Sequence, residues 1–405
     1  MRVVLVCSDP SDCLRSPLAA RPASLGDGLL RLLRDGGHEA ELVTLPSWGD
    51  GAPGSAVDDG RLADAAASAD VLHVLDVAAS PAALRVRRRT GTPTVVRAQV
   101  SGSEHIAERD RAAWLACLRA ADTVMVPTRH DERAARALGV PAERIATVLV
   151  AAAGEVGGVG GFAARSPERV VSVLSGPHAW GGTVDVVAAV SRVPDVELVV
   201  AGRSAAPEAA ERLATVADAC GAADRVTITG WLDEQQTVEL VDRSAVVVAP
   251  RRGPTTGAVS LRAMGRARPV VAYESPVQAE IVVDGETGVL VPMGSRSRLT
   301  EVLAGLLADP FRAEALGQAG QDRVVARFGT ERTLAGVLSA YENAVERRPR
   351  TAFIPSARTR AATASSRCGP EPDAHASKSS TSVGVVGTDW HASTKPASSS
   401  PGSSA

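Results

Sequence analysis

The chain has 405 residues, 45% of them hydrophobic and 3% aromatic, with a formal net charge of −2. That length accommodates two α/β domains and a tail, and the near-neutral charge excludes a broad electrostatic footprint for nucleic acid. No run approaches the ~18 apolar residues of a transmembrane segment, and Cys7, Cys13, Cys117, Cys220 and Cys368 have neither metal nor redox spacing, which points to reduced thiols in a cytoplasmic protein.

The opening "RVVLVCS" at 2–8 reads as a strand and not as a signal peptide. Further strands are expected at 39–45 ("EAELVTL"), 71–76, 93–99, 123–128 and 144–150, with helices between them such as "LGDGLLRLLRDGG", which has leucines at helical spacing and a glycine stop. "AAAGEVGGVGGFAARSP" then breaks the alternation. Its five glycines between 154 and 161 lack the G-x-G-x-x-G spacing and read as a linker. A second alternation follows, with strands "RVVSVLS", "VELVVAG", "RVTITG", "AVVVAP", "PVVAY" and "GVLVP", then three helices from Ser297 to Arg348. Strand–helix–strand alternation predicts a doubly wound parallel sheet in each half. From Arg350 the composition turns to Ser, Ala, Thr, Pro and Gly, which predicts a disordered tail. The only lysines, Lys378 and Lys395, lie in that tail, so the body has no lysine to hold phosphate.

Four segments of the second half carry a family resemblance: "VPDVELVVAGRS", "ADRVTITGWLDEQQTVELVDRSAVVVAPRR", "GAVSLRAMGRARPVVA" and "EIVVDGETGVLVP". Together they resemble the retaining, nucleotide-sugar-dependent glycosyltransferases of family 4. The similarity runs over roughly residues 165–345 and is thinner over 1–150, where "GVPAERIATVLV" and the segment order fit. The resemblance implies the GT-B fold: an α/β chain of two Rossmann-like doubly wound domains facing a cleft. It implies an acceptor-side domain at 1–152, the linker at 153–166, a donor domain at 167–328, a helix at 329–349 that crosses back, and the tail at 350–405. In the family the nucleotide diphosphate lies against the second domain. Carried over, the donor-side glycine is Gly202, and the phosphate cradle is Gly257 with the free N–H groups of Ala258 and Val259, flanked by Thr255 and Thr256. No cofactor and no metal are implied, because helix dipole and cations stabilise the leaving group.

The chain departs from the pattern at its most chemical positions. The two family glutamates, eight positions apart, fall on Pro254 and Arg262. The first belongs beside the transferred sugar and the second accepts from ribose hydroxyls, whereas proline offers no acceptor and arginine only donates. The basic pair that neutralises the diphosphate falls near Gly176 and Gly181, and the family histidine of the first domain falls on Gln99. Cations close in sequence to the cradle offer compensation: Arg251, Arg252 and Arg262, with Arg203 and His178 from neighbouring loops. The plainer reading of each is a solvated surface charge. There is no nucleophile elbow, no Walker loop and no metal-ligand spacing among the histidines.

The resemblance therefore implies transfer of a sugar from a nucleotide-diphosphate donor to an acceptor, with retention. The alternative is a pseudo-enzyme of the same fold that serves a protein partner as regulator or scaffold. Another GT-B chemistry, such as sugar epimerisation, stands third.

Overall fold

The computed structural model describes residues 1–8, 22–45, 56–100, 103, 106, 108–149, 168–177, 182–202, 207–253 and 255–347. Met1–Pro349 forms one compact unit. The expected linker and tail lie outside the described residues.

In the first half, β1 (Arg2–Ser8), β2 (Glu39–Leu45), β3 (Val71–Val74), β4 (Thr94–Arg97), β5 (Thr123–Val126) and β6 (Ile145–Thr147) form a parallel sheet in the order β2-β1-β3-β4-β5-β6. Helices α1 (Pro22–Asp35), α2 (Ala56–Ala67), α3 (Ser80–Thr90), α4 (Glu108–Ala120) and α5 (Arg129–Ala137) connect the strands. In the second half, β7 (Val170–Val173), β8 (Glu197–Ala201), β9 (Val226–Gly230), β10 (Val246–Ala249), β11 (Val270–Tyr273) and β12 (Val289–Val291) give a second parallel sheet, ordered β12-β11-β10-β7-β8-β9. Its helices are α6 (Thr183–Val190), α7 (Pro207–Ala219), α8 (Glu234–Arg243), α9 (Ala258–Gly265), α10 (Pro276–Ile281) and α11 (Arg296–Ala308). The chain continues through α12 (Pro310–Phe328) and α13 (Thr330–Glu346).

Burial explains why the strands read as unbroken apolar runs. Helices cover both faces, so β3, β5, β7, β10 and β11 are buried at every residue. The edge strands β2 and β9 alternate instead, and carry the polar residues. One face of the second sheet packs Val186, Val187 and Val190 of α6 with Leu299, Leu303 and Leu306 of α11. The other face packs Leu261 and Met264 of α9 with Ile281 of α10 and Val324 of α12.

The last helix returns to the first half. Val337, Ala340, Tyr341 and Ala344 of α13 join the core made by Val3, Leu5, Leu33, Val95 and Met125. Tyr341 Oη lies 2.8 Å from His73 Nδ1 on β3. Burial, reinforced by Arg97, pushes the His73 pKa down to about 3. A neutral imidazole and a phenol thus share one buried hydrogen bond that fixes α13 on the sheet. No helix among the described residues is long and apolar enough to cross a membrane.

Read from its other edge, the second sheet places its third, second, first, fourth, fifth and sixth strands side by side. The strand order reverses between β7 and β10. In open α/β sheets the crevice outside the strand carboxyl ends at such a switch point is where ligands bind. The loops that follow β7 and β10 therefore define the place to look.

Candidate functional site

The loop after β10 ends at Gly257, which caps α9 with φ 75°. A Cβ there would sit 2.0 Å from Ile281 Cδ1, so both backbone angle and space select glycine. The Gly257 N–H donates to Thr255 Oγ1 at 3.1 Å. Leu261 N–H is bonded to the Gly257 carbonyl at 3.0 Å. The N–H groups of Ala258 and Val259 precede that first intrahelical bond and point out of the helix start. They form the donor end of a helix dipole at the switch point. This helix start is where the resemblance puts the phosphate cradle. The Thr255 hydroxyl accepts from Gly257, and α9 has no side-chain cap.

The loop after β7 meets this one from the other side of the crevice. Gly176, with φ 66°, donates its N–H to the Ala201 carbonyl at 2.9 Å. Gly202 has φ 124°, and a Cβ on it would fall 2.8 Å from Gly176 N. The glycine at 202 is thus required by backbone packing against the β7 loop. Ser175 Oγ in the same loop is buried without a hydrogen-bond partner among the described residues. Gly182, with φ 53°, precedes α6, and a Cβ on it would meet the Pro250 carbonyl oxygen at 2.3 Å. Gly182 lets the start of α6 approach the loop after β10 closely, and Gly176 and Gly202 let the loops after β7 and β8 do the same.

The arginines are engaged differently from expectation. Arg252 turns to Asp185 in the first turn of α6 and is ion-paired to its Oδ2. Arg296 donates Nε to Asp185 Oδ1 at 2.6 Å, and Tyr273 donates its hydroxyl to Oδ2 at 2.7 Å. Asp185 is 1% exposed at its side chain, while both arginines are about half-exposed. Burial alone would raise the Asp185 carboxyl, but the hydrogen bonds from Arg296, Tyr273 and Arg252 outweigh it and hold the pKa below the usual carboxylate range. Arg262 forms a two-pronged pair with Glu234 at the start of α8, Nη1 to Oε1 and Nη2 to Oε2, each 3.0 Å. Arg251 is partly buried, which lowers its pKa from the ordinary arginine value. His178, Arg203, Pro254 and Gly181 lie outside the described residues.

The two halves touch at this place. Gln99, just beyond β4, donates Nε2 to the Thr255 carbonyl at 2.9 Å. Glu280 of α10 accepts the Arg129 N–H at 2.7 Å, capping the start of α5 in the first half. Gln99 and the loop after β10 are thus brought together. Asp185, Glu234, Glu280 and Arg296 escape sequence reasoning. Only Asp185 leaves a local trace, an acid inside the apolar helix "TVDVVAAV". Among the described residues no group of three or more His, Cys, Asp or Glu side chains is placed to hold a metal.

Comparison with known proteins bears on the whole arrangement. Residues 178–309 match the model for "Glycosyl transferases group 1", and residues 59–151 match that for "Glycosyl transferase 4-like domain". The chain belongs to the group 1 glycosyltransferases. A D-inositol 3-phosphate glycosyltransferase from Xylanimonas cellulosilytica is 32% identical over 181 residues, 44% of this chain and 42% of the relative. An alpha-maltose-1-phosphate synthase from Mycobacterium tuberculosis is 35% identical over 175 residues, 40% of this chain and 45% of the relative. The matched part spans less than half the length of these relatives. Anabaena HepE, solved with UDP and glucose, superposes with a TM-score of 0.69 at 15% identity, covering 84% of this chain and 99% of that one. The superposition extends over both halves and shows the GT-B-like two-domain fold. In the second half, backbone geometry requires glycine at 202 and 257, and the resemblance assigns the two family glutamates to positions where this chain has Pro254 and Arg262.

Proposed function

We propose that the protein transfers a glycosyl group, with retention, from a nucleoside-diphosphate sugar to an acceptor hydroxyl. In that reaction the bond between the anomeric carbon and the diphosphate oxygen breaks, and its electron pair leaves with the nucleoside diphosphate. A bond forms from the anomeric carbon to the acceptor oxygen, which gives up its proton. The observation that carries the reading is the start of α9. Behind Gly257, Ala258 and Val259 present backbone N–H groups at the β7/β10 switch point, where the leaving diphosphate gains charge. Gly202 shapes the neighbouring loop, and Arg251 supplies positive charge from the loop after β10. Gln99 stands on the acceptor side, where its amide already reaches the donor loop.

HepE was solved with UDP and glucose, and the curated relatives are named for glycosyl transfer or for a sugar phosphate product. These names support a nucleotide sugar as the substrate class here. A second reading has its own observation. Arg252 and Arg262, the cations best placed in sequence to replace the missing basic pair, are neutralised by Asp185 and Glu234. On that reading the fold serves a partner protein without turnover.

Release of nucleoside diphosphate separates the two. With UDP-glucose, GDP-mannose and ADP-glucose as donors and a panel of sugar phosphates as acceptors, one donor is expected to yield product above the protein-free rate. Binding of a donor with no release under any acceptor condition supports the second reading.

A further inference from the structure

The pair between Arg262 and Glu234 differs from an ordinary surface ion pair. In the usual exposed pair both side chains are mobile and solvated, and little is gained. Here the Arg262 side chain is 12% exposed and that of Glu234 is 64% exposed. The guanidinium is packed on α9 and grips both carboxylate oxygens with near-equal 3.0 Å contacts. The backbone of Glu234 is fixed as well. Asp233 and Gln236 close a reciprocal capping box at the start of α8, with contacts of 2.8 and 3.0 Å. A rigid arginine therefore aims a carboxylate outward from a rigid helix start. Each carboxylate oxygen spends one lone pair on Arg262 and keeps another for a ligand.

The place of this carboxylate matters. Arg262 lies five residues after Gly257, so it stands about 7.5 Å further along α9 than the backbone cradle. A nucleoside diphosphate seated by its phosphates on that cradle carries its ribose away by a comparable distance. The ribose presents two neighbouring hydroxyls, a donor pair that matches two carboxylate oxygens held in one plane. We infer that Glu234, positioned by Arg262, accepts hydrogen bonds from the ribose diol of a nucleoside diphosphate. The carboxylate would reach the sugar from the start of α8 and not from α9. This inference rests on the proposed cradle at Gly257–Val259. Its chemistry is specific: it requires a ribonucleotide, is indifferent to the transferred sugar, and makes Arg262 a positioning residue.

The test compares UDP, GDP and ADP with their 2′,3′-dideoxy analogues and with inorganic pyrophosphate, by calorimetry on the full chain. For the wild type, the nucleotide that binds should lose at least about tenfold in affinity when the diol is removed, since each bond to a charged acceptor accounts for about that factor. Glu234→Gln should weaken the ribonucleotide about tenfold and leave the dideoxy analogue unchanged. Arg262→Gln should erase the same discrimination while leaving pyrophosphate binding intact, a result that collapse of the site cannot produce. Unaltered ribo-to-dideoxy preference in Glu234→Gln overturns the inference while leaving the cradle standing. Failure of every nucleotide and of pyrophosphate to bind the wild type overturns the cradle and the inference together.

Discussion

Asp185→Ala is expected to lower the unfolding free energy by about 3 kcal/mol, within the range for breaking a buried ion pair. Asp185 is 1% exposed and satisfies three donors from three separate segments: Arg252 after β10, Tyr273 at the end of β11 and Arg296 at the start of α11. Alanine leaves the buried Tyr273 hydroxyl without its acceptor, a penalty of about 1–3 kcal/mol by itself. It also frees two arginines beside each other. Their half-exposure lets water return to them, which keeps the loss below the extreme for a sealed charge. Asp185→Asn retains one acceptor oxygen and should cost roughly half as much. The pH dependence has a fixed sign. The folded carboxyl titrates below its unfolded value, so its contribution is complete above about pH 4 and is lost as pH falls through the folded pKa. The gap between wild type and Asp185→Ala in urea unfolding should therefore narrow in acid. A penalty under about 1 kcal/mol at neutral pH would mark the network as an ordinary set of surface pairs.

Gly182→Ala should be comparably severe for a different reason. The added Cβ meets the Pro250 carbonyl oxygen at 2.3 Å and Tyr273 Cε2 at 2.6 Å. Neither a backbone carbonyl nor a ring buried in the core yields easily. A left-handed alanine adds about 1–2 kcal/mol of backbone strain. Gly221 offers a matched control, because its φ is 64° and a Cβ there meets nothing within 4 Å. Gly221→Ala should show the strain alone, whereas Gly182→Ala should exceed it by about 2 kcal/mol or more and push the loop after β10 off its position. Equal melting temperatures for the two variants would mean that the loops after β7 and β10 do not approach as described.

Much of the fold is legible in the sequence because parallel strands buried on both faces leave a blunt signal. "RVVSVLS" and "AVVVAP" can hardly be anything but interior strands, and β7 and β10 fall within them. The apolar face of "TERTLAGVLSAYENAVERR" is equally plain. That it returns to the first sheet came from the family resemblance, since helical spacing cannot say which sheet Tyr341 will meet. The frame of the candidate site was readable for a similar reason. Gly257 and Gly202 are needed by local backbone angles and close approach, and local demands show in local sequence.

Side-chain partnerships behave differently. Arg252 finds Asp185 across 67 residues, Arg262 finds Glu234 across 28, and Gln99 finds Thr255 across 156. A charge pairs with whatever the fold brings near, and nothing in the neighbouring residues records the choice. Read alone, three arginines around the cradle suggest free cations for a diphosphate. In the folded chain two of them are held by carboxylates, Arg252 by Asp185 and Arg262 by Glu234.

The central claim is that the crevice between β7 and β10 holds a nucleoside diphosphate even though the resemblance assigns the two family glutamates to Pro254 and Arg262. Calorimetric titration of the wild-type chain with UDP, GDP and ADP tests it most directly. The account predicts saturable binding of one of the three below millimolar concentration, in competition with inorganic pyrophosphate and weakened in Gly257→Val, whose side chain would run into Ile281. Absence of binding by all three at millimolar concentration would contradict it.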